Sequence, residues 1–272
     1  MNFEDDIVIK ELIKRLKKNQ IIPFVGAGMS KGLGFPLWKD LAVRIIEVIG
    51  NLEIDHNVVE KRDLMEVFEF LVINQKRKGI NEILKNFLKI SENSLEIPET
   101  HKNLIKLGAP IIYTTNWDTL IELTYKRMNK PYKVVETIED FQRLQLNTPT
   151  IIKFHGSLTH PDSLVITETN YYERFGIDSP FDIRFRSDLL ERSILLLGTS
   201  FRDYNLRYLW NRTQKALTNT LGKKPPSSYF VAVEKDIIRE EVLKKNNILT
   251  INLDNTDEFP KFLQYLADNV AI

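Results

Sequence analysis

The chain has 272 residues, no cysteine, 43% hydrophobic residues and a net charge of +1 from 38 basic and 37 acidic side chains. That length carries one large α/β domain, or a domain with a smaller insertion, and supplies enough apolar side chains for a real core. The balanced charge gives no reason to expect nucleic acid, an anionic membrane or an acidic partner. Without cysteine there is no disulfide and no Cys-ligated zinc or iron–sulfur site. The histidines His56, His101, His155 and His160 lack the i, i+4 spacing of a helical metal pair, so no metal is expected. No signal-peptide pattern opens the sequence, and no run approaches the ~20 apolar residues of a membrane helix. A soluble cytoplasmic protein is expected.

In chain order, Ile7, Ile9, Leu12, Ile13 and Leu16 predict a first helix over 6–18, with Lys14-Arg15-Leu16-Lys17-Lys18 as its solvated face. An apolar strand over 21–25 follows and stops at Gly26-Ala27-Gly28-Met29-Ser30. Helical spacing resumes at Trp38, Leu41, Ile45 and Val48, then at Leu64, Val67, Phe68 and Leu71, so a helical insertion is expected over about 37–100. Strand patterns recur at 109–115, 132–135, 150–155, 193–197, 228–233 and 248–253. Helices are predicted between and after them over 117–128, 138–144, 171–191 (broken near Pro180), 202–218, 237–245 and 258–269. The stretch 222–226 reads as an exposed loop. This alternation predicts an α/β domain over 1–272: a Rossmann-like parallel sheet with helices on both faces, a small helical insertion and no zinc module.

In such sheets ligands sit beyond the C-terminal strand ends, and the polar motifs fall there. Gly26-Ala27-Gly28 ends one strand, Thr115-Asn116-Trp117-Asp118 the next, His155-Gly156 another and Gly198-Thr199-Ser200 another. A glycine turn between strand and helix lets backbone N–H groups approach a phosphate. Gly26-x-Gly28 lacks the third glycine of a dinucleotide fingerprint, since Lys31 stands there, and no Walker loop occurs. Asn116 can hold a ribose hydroxyl or a water, and Asp118 can accept from an amide or hydroxyl; helix capping is the plain alternative for both. His155 can relay a proton near neutral pH, or it can be a satisfied core histidine. His101 reads as structural and His160 as a loop residue. Trp210, Tyr171 and Tyr172 read as core or helix-face residues. Asp203-Tyr204-Asn205 belongs with the Gly198 turn, a second strand-to-helix junction.

The segments Gly26-Ala27-Gly28-Met29-Ser30, Thr114-Thr115-Asn116-Trp117-Asp118, His155-Gly156 and Gly198-Thr199-Ser200, in that order, resemble the sirtuin fold family. Tyr113-Thr114-Thr115-Asn116-Trp117-Asp118 and Gly198-Thr199-Ser200-Phe201-Arg202-Asp203 look like the bacterial sirtuin-like domains of antiphage defence. The resemblance implies NAD binding, with Gly26, Ala27, Gly28, Ser30, Thr115, Gly198, Thr199 and Ser200 at pyrophosphate and riboses. It implies Asn116 at the nicotinamide ribose, Asp118 near the carboxamide and His155 as catalytic base. Deacylating sirtuins carry Pro-Asp-Phe-Arg after the glycine loop, where this chain has Pro36-Leu37-Trp38-Lys39. They also carry a four-cysteine zinc module and a Phe-Gly-Glu motif, both missing here.

These features lead to an expected NAD+ glycohydrolase, with NAD as substrate and the activity controlled by homo-oligomerisation or a partner protein. An NAD-dependent lysine deacylase and a non-catalytic NAD or ADP-ribose sensor are the alternatives.

Overall fold

Short apolar runs flanked by glycine or polar residues form the strands, and longer runs with 3.6-residue periodicity form the helices. The computed structural model describes residues 3–50, 54, 59, 61–90, 95–144, 147–176, 178–221 and 227–270. The strands are β1 (Ile21–Val25), β2 (Ile111–Thr114), β3 (Lys133–Val135), β4 (Thr150–Lys153), β5 (Ser193–Leu197), β6 (Ser228–Ala232) and β7 (Ile248–Asn252). They form one sheet in the order β3-β4-β2-β1-β5-β6-β7, and every pairing is parallel. From β1 the chain runs outward to β2 on one side and later returns to β5 on the other. The crevice of an open α/β sheet opens where the order reverses in this way.

The helices are α1 (Ile7–Leu16), α2 (Trp38–Ile49), α3 (Leu64–Phe87), α4 (Glu99–Lys106), α5 (Leu120–Arg127), α6 (Glu168–Gly176), α7 (Pro180–Glu191), α8 (Tyr204–Leu221), α9 (Ile237–Lys245) and α10 (Glu258–Val270). Alternating strand residues feed two cores, one per face of the sheet. Leu195 and Leu197 of β5 pack with Ile9 and Leu12 of α1, Leu104 of α4, Ile121 of α5 and Phe262 of α10. Ile194 and Leu196 of the same strand pack with Phe185 of α7, Leu206 and Trp210 of α8 and Leu243 of α9. A third core, from Leu41 and Ile45 of α2 and Phe68, Leu71 and Ile80 of α3, rests on Trp117, Leu164 and Ile166 beside the C-terminal sheet edge.

Several details differ from the sequence expectation for local reasons. Arg15 is not solvated: it is buried, donating from Nη1 to the Ser227 carbonyl at 2.8 Å and from Nη2 to Ser193 Oγ at 2.6 Å. Pro180 starts a helix: it follows the N-cap Ser179, whose hydroxyl and Asp182 form a reciprocal capping box. Residues 139–143 make only a short 3-10 turn. Helix α3 is interrupted at Lys76, which adopts φ 60° and ψ 151°. Val48 points outward, 59% exposed, so the core stripe of α2 is Leu41, Ala42, Ile45 and Ile46. The expected loop 222–226 lies outside the described residues.

Candidate active site

The C-terminal ends of β1, β2, β4 and β5 open into a cavity of about 720 Å³, well within the range of small-molecule sites. Its wall includes Gly26, Ala27, Gly28, Ser30, Thr115, Asn116, Asp118, His155, Gly198, Thr199 and Ser200. The structure therefore brings every site residue named from the sequence to one place. Leu37 and Trp38 of the α2 entry and Leu64 of α3 close the other side.

The glycines stand here first because two loops cross. A Cβ on Gly28 would lie 2.6 Å from the Gly198 carbonyl oxygen, and one on Gly26 would lie 2.7 Å from Thr199 Cβ. Gly198 itself has φ +59°, a left-handed conformation that favours glycine. The Gly28 N–H donates to the Gly198 carbonyl at 2.7 Å and the Gly26 N–H to the Leu197 carbonyl at 2.9 Å. The Met29 and Ser30 amides donate back to Gly26 and Ala27. The sequence points to phosphate approach at these glycines; the structure adds a backbone seam beyond β1 and β5 that takes the Gly26 and Gly28 amides.

Helix α5 begins only at Leu120, so Asn116 and Asp118 sit on a loop. Asn116 is not a helix cap. Its Nδ2 donates to the Gly26 carbonyl at 3.2 Å and to Ser30 Oγ at 3.3 Å, and Ser30 Oγ donates to Asp118 Oδ2 at 3.1 Å. A carbonyl oxygen can only accept, so the amide nitrogen must face Gly26. That orientation leaves Asn116 Oδ1 buried and without a hydrogen-bond partner among the described residues. Asp118 precedes the N-cap Thr119, and its Oδ1 accepts from the Leu120 N–H at 3.0 Å in an Asx turn that leads into α5. Behind it, fully buried Lys153 donates to the Asp118 carbonyl. Lys153 Nζ also stands 2.9 Å from Glu122 Oε1, within ion-pair range although off hydrogen-bond geometry. Burial is the main force raising the Glu122 carboxyl above its ordinary value, and Lys153 opposes it.

His155 lies two residues past the end of β4, in a turn where Gly156 has φ +80°. Its carbonyl accepts from Trp117 Nε1 at 3.1 Å, tying the β4 turn to the Asn116 loop. Burial pulls the imidazole down to about 4, against the opposing pull of Asp203. The ring is therefore neutral at pH 7 and can take a proton. Two cavity residues were missed as site residues by sequence reasoning. Tyr171 donates its hydroxyl to Asp203 Oδ2 at 2.6 Å, and that oxygen lies 3.4 Å from His155 Nε2. This separation is within ion-pair range but outside hydrogen-bond geometry, and Nε2 has no hydrogen-bond partner among the described residues. Of the other aromatics, Trp210 is in the core and Tyr172 is exposed. His101 is buried in α4 and His160 is exposed beside Glu136.

A fully parallel sheet with its cavity at the switch point, walled by two crossing glycine turns, is a Rossmann-like frame. The chain belongs to the SIR2-like family: that family's domain model, described as SIR2-like domain, matches residues 110–251, just over half of the chain. Among curated proteins it is 29% identical to "NAD(+) hydrolase ThsA" of Bacillus cereus (strain MSX-D12), over 99% of this chain and 58% of that protein. It is 30% identical to the protein of the same name from Acinetobacter baumannii (strain 532279), over 77% of this chain and 42% of that one. It is 22% identical to "Defense-associated sirtuin 2" of Bacillus subtilis, over 86% of this chain and 23% of that one. The chain thus spans roughly half the length of the ThsA relatives. A crystal structure titled as a SIR2 homolog–NAD complex shares the fold with TM-score 0.54 at 12% identity, covering 96% of this chain and 94% of its own. Among the described residues no helix is long and apolar enough to cross a membrane.

Proposed function

We propose that residues 1–272 form an NAD+ glycohydrolase domain, with the helical insertion over about 37–100 closing its substrate cavity. The observation that carries this reading is the acceptor of Asn116: a buried amide oxygen without a partner among the described residues, in the wall of the cavity that also holds a neutral histidine. A group desolvated in this way costs stability unless a ligand or water completes it. The names of the ThsA relatives support hydrolysis of NAD.

The chemistry fits these groups. The bond from ribose C1′ to the nicotinamide nitrogen already has a cationic leaving group, so it needs no acid. As that bond breaks, its electron pair returns to the pyridine nitrogen and positive charge develops at C1′. A water held by Asn116 Oδ1 attacks C1′, and His155 accepts its proton and later releases it to solvent. The products are nicotinamide, ADP-ribose and one proton. The loops at Gly26–Ser30 and Thr199–Ser200 hold the pyrophosphate and riboses, and Asp118 lies toward the carboxamide. Such an enzyme acts as a cytoplasmic defence effector, a role supported by the name of the Bacillus subtilis relative. Destroying NAD endangers the cell, so assembly or a partner protein controls it.

Purified protein incubated with NAD, with and without an acetyl-lysine peptide, tests this reading. Peptide-independent nicotinamide release is expected. Release only with peptide means deacylation, and binding without release at concentrations where the chain self-assembles means sensing; either result overturns the proposal.

A further inference from the structure

Asp203 lies on the short segment between β5 and α8, and its two carboxylate oxygens do different work. Oδ1 accepts from the Leu206 N–H at 2.7 Å and so caps α8. Oδ2 accepts from Tyr171 and faces His155 Nε2 at 3.4 Å. The Tyr171 ring meets the His155 ring edge-on, with centroids 5.8 Å apart and an interplanar angle of 80°. On its other side the His155 ring stacks on Phe154 at 5.5 Å. The imidazole is thus confined by two aromatic rings, with a carboxylate at one nitrogen.

A carboxylate can only accept. A neutral imidazole that presented a lone pair from Nε2 to Asp203 would set two acceptors against each other in a buried site. With its hydrogen on Nε2 it presents a donor instead, and the lone pair is left on Nδ1. We propose that Asp203, anchored by Tyr171, is the positioning residue that fixes this tautomer of His155 and so makes Nδ1 the proton-accepting atom. The kinetic part of this proposal rests on the glycohydrolase reading; the tautomer itself does not. When Nδ1 takes the proton of the attacking water, the imidazolium keeps its hydrogen on Nε2 toward Asp203, and the carboxylate stays ionised. The 3.4 Å gap shortens at that moment because the pair has become charged, as catalytic hydrogen bonds tighten on ligation. The charged and titratable groups around the ring are Asp203 before α8, Tyr171 and Arg174 of α6 and Asp182 of α7. Asp203 and Asp182 favour the imidazolium and Arg174 opposes it.

Asp203→Asn is the informative variant, because asparagine also caps helices. The Leu206 N–H requires an acceptor, so the new amide keeps its oxygen on α8 and turns its NH2 toward His155. The imidazole must then accept at Nε2 and carry its hydrogen on Nδ1. Nitrogen-15 NMR of the histidine ring, assigned with His155→Asn, is expected to show Nε2–H in the wild-type chain and Nδ1–H in D203N. Nicotinamide release by D203N is expected to fall at least roughly tenfold with the melting temperature retained. The acidic limb of its pH profile is expected to move down, because a group that favoured the imidazolium is gone. Asp203→Ser keeps a cap without either amide or carboxylate and controls for capping alone. A wild-type ring protonated at Nδ1, or a D203N ring with its tautomer unchanged, overturns the proposal. If the wild-type chain releases no nicotinamide even at concentrations where it self-assembles, the glycohydrolase reading fails, and the NMR experiment still decides the role of Asp203.

Discussion

The two ends of the parallel sheet treat buried polar groups in opposite ways. At the N-terminal end Arg15 spends its guanidinium on Ser227 and Ser193, and Ser228 Oγ accepts from the Ile194 N–H at 3.0 Å. At the C-terminal end Asn116 Oδ1 and His155 Nε2 are left without hydrogen-bond partners among the described residues. Other buried atoms share that state, Asn81 Oδ1 and Asn252 Oδ1 among them, so an orphan alone does not define a site. What sets Asn116 and His155 apart is that both residues line one large cavity. The N-terminal end satisfies the buried polar groups named above, whereas the cavity end leaves Asn116 Oδ1 as an unused acceptor, a cost typical of binding sites.

Lys153 tests this division most severely, because it belongs to the reactive end yet is structural. Lys153→Met strands a buried Glu122 and frees the Asp118 carbonyl, so a loss of about 3–5 kcal/mol in urea unfolding is expected. Proton uptake by Glu122 moderates the loss, which is therefore smaller at pH 5 than at pH 8. Next in size are Asn116→Ala and His155→Ala. Each is expected to reduce nicotinamide release on the order of a hundredfold or more, and because Asn116 loses its bonds to Gly26 and Ser30 and His155 its packing on Phe154 and Tyr171, about 1–3 kcal/mol of stability is lost with it. Near-normal release by either protein breaks the comparison. At the opposite end Arg15→Met is expected to cost about 1–3 kcal/mol of stability and leave the rate of release unchanged. Altered kinetics in that variant means the two ends are coupled.

The smallest effect is the response to pH. Burial lowers His155 to about 4 and also lowers His101, from an ordinary value of 6.5. Below pH 6.5 the unfolded chain binds protons that the folded chain refuses, so stability present above that pH is lost as pH falls toward 4. His155 contributes at most about 1.4 kcal/mol per pH unit in that window, and His101 adds to it in the same direction. Replacing His155 by glutamine is expected to flatten the acid side of a thermal unfolding profile; an unchanged slope means the ring is already hydrated.

Much of this was legible in the chain. Apolar runs such as Ser193–Leu197 are closed by glycine, so strand ends could be located and the polar residues beyond them placed on one edge. Less legible was anything that depends on elements distant in sequence. Tyr171 reads as a helix-face aromatic until α6 brings it against Asp203. Asp203 reads as a cap, which it is, until its second oxygen is seen facing His155. Arg15 sits in a basic cluster and gives no local sign that it alone turns inward. The glycines signalled a close approach, but periodicity cannot say whether the visitor is a phosphate or another backbone.

The crossing of Gly28 and Gly198 has a mechanical consequence. The central pair β1 and β5 carries opposite walls of the cavity. A peptide hydrogen bond of 2.7 Å just past both strands, with no room for a methyl group between them, fixes the spacing of those walls. The Ser30 network to Asn116 hangs from one side of the rivet and the segment leading to Asp203 from the other. The placement of Asn116 relative to the Asp203 segment is thereby set by backbone packing at one crossing point.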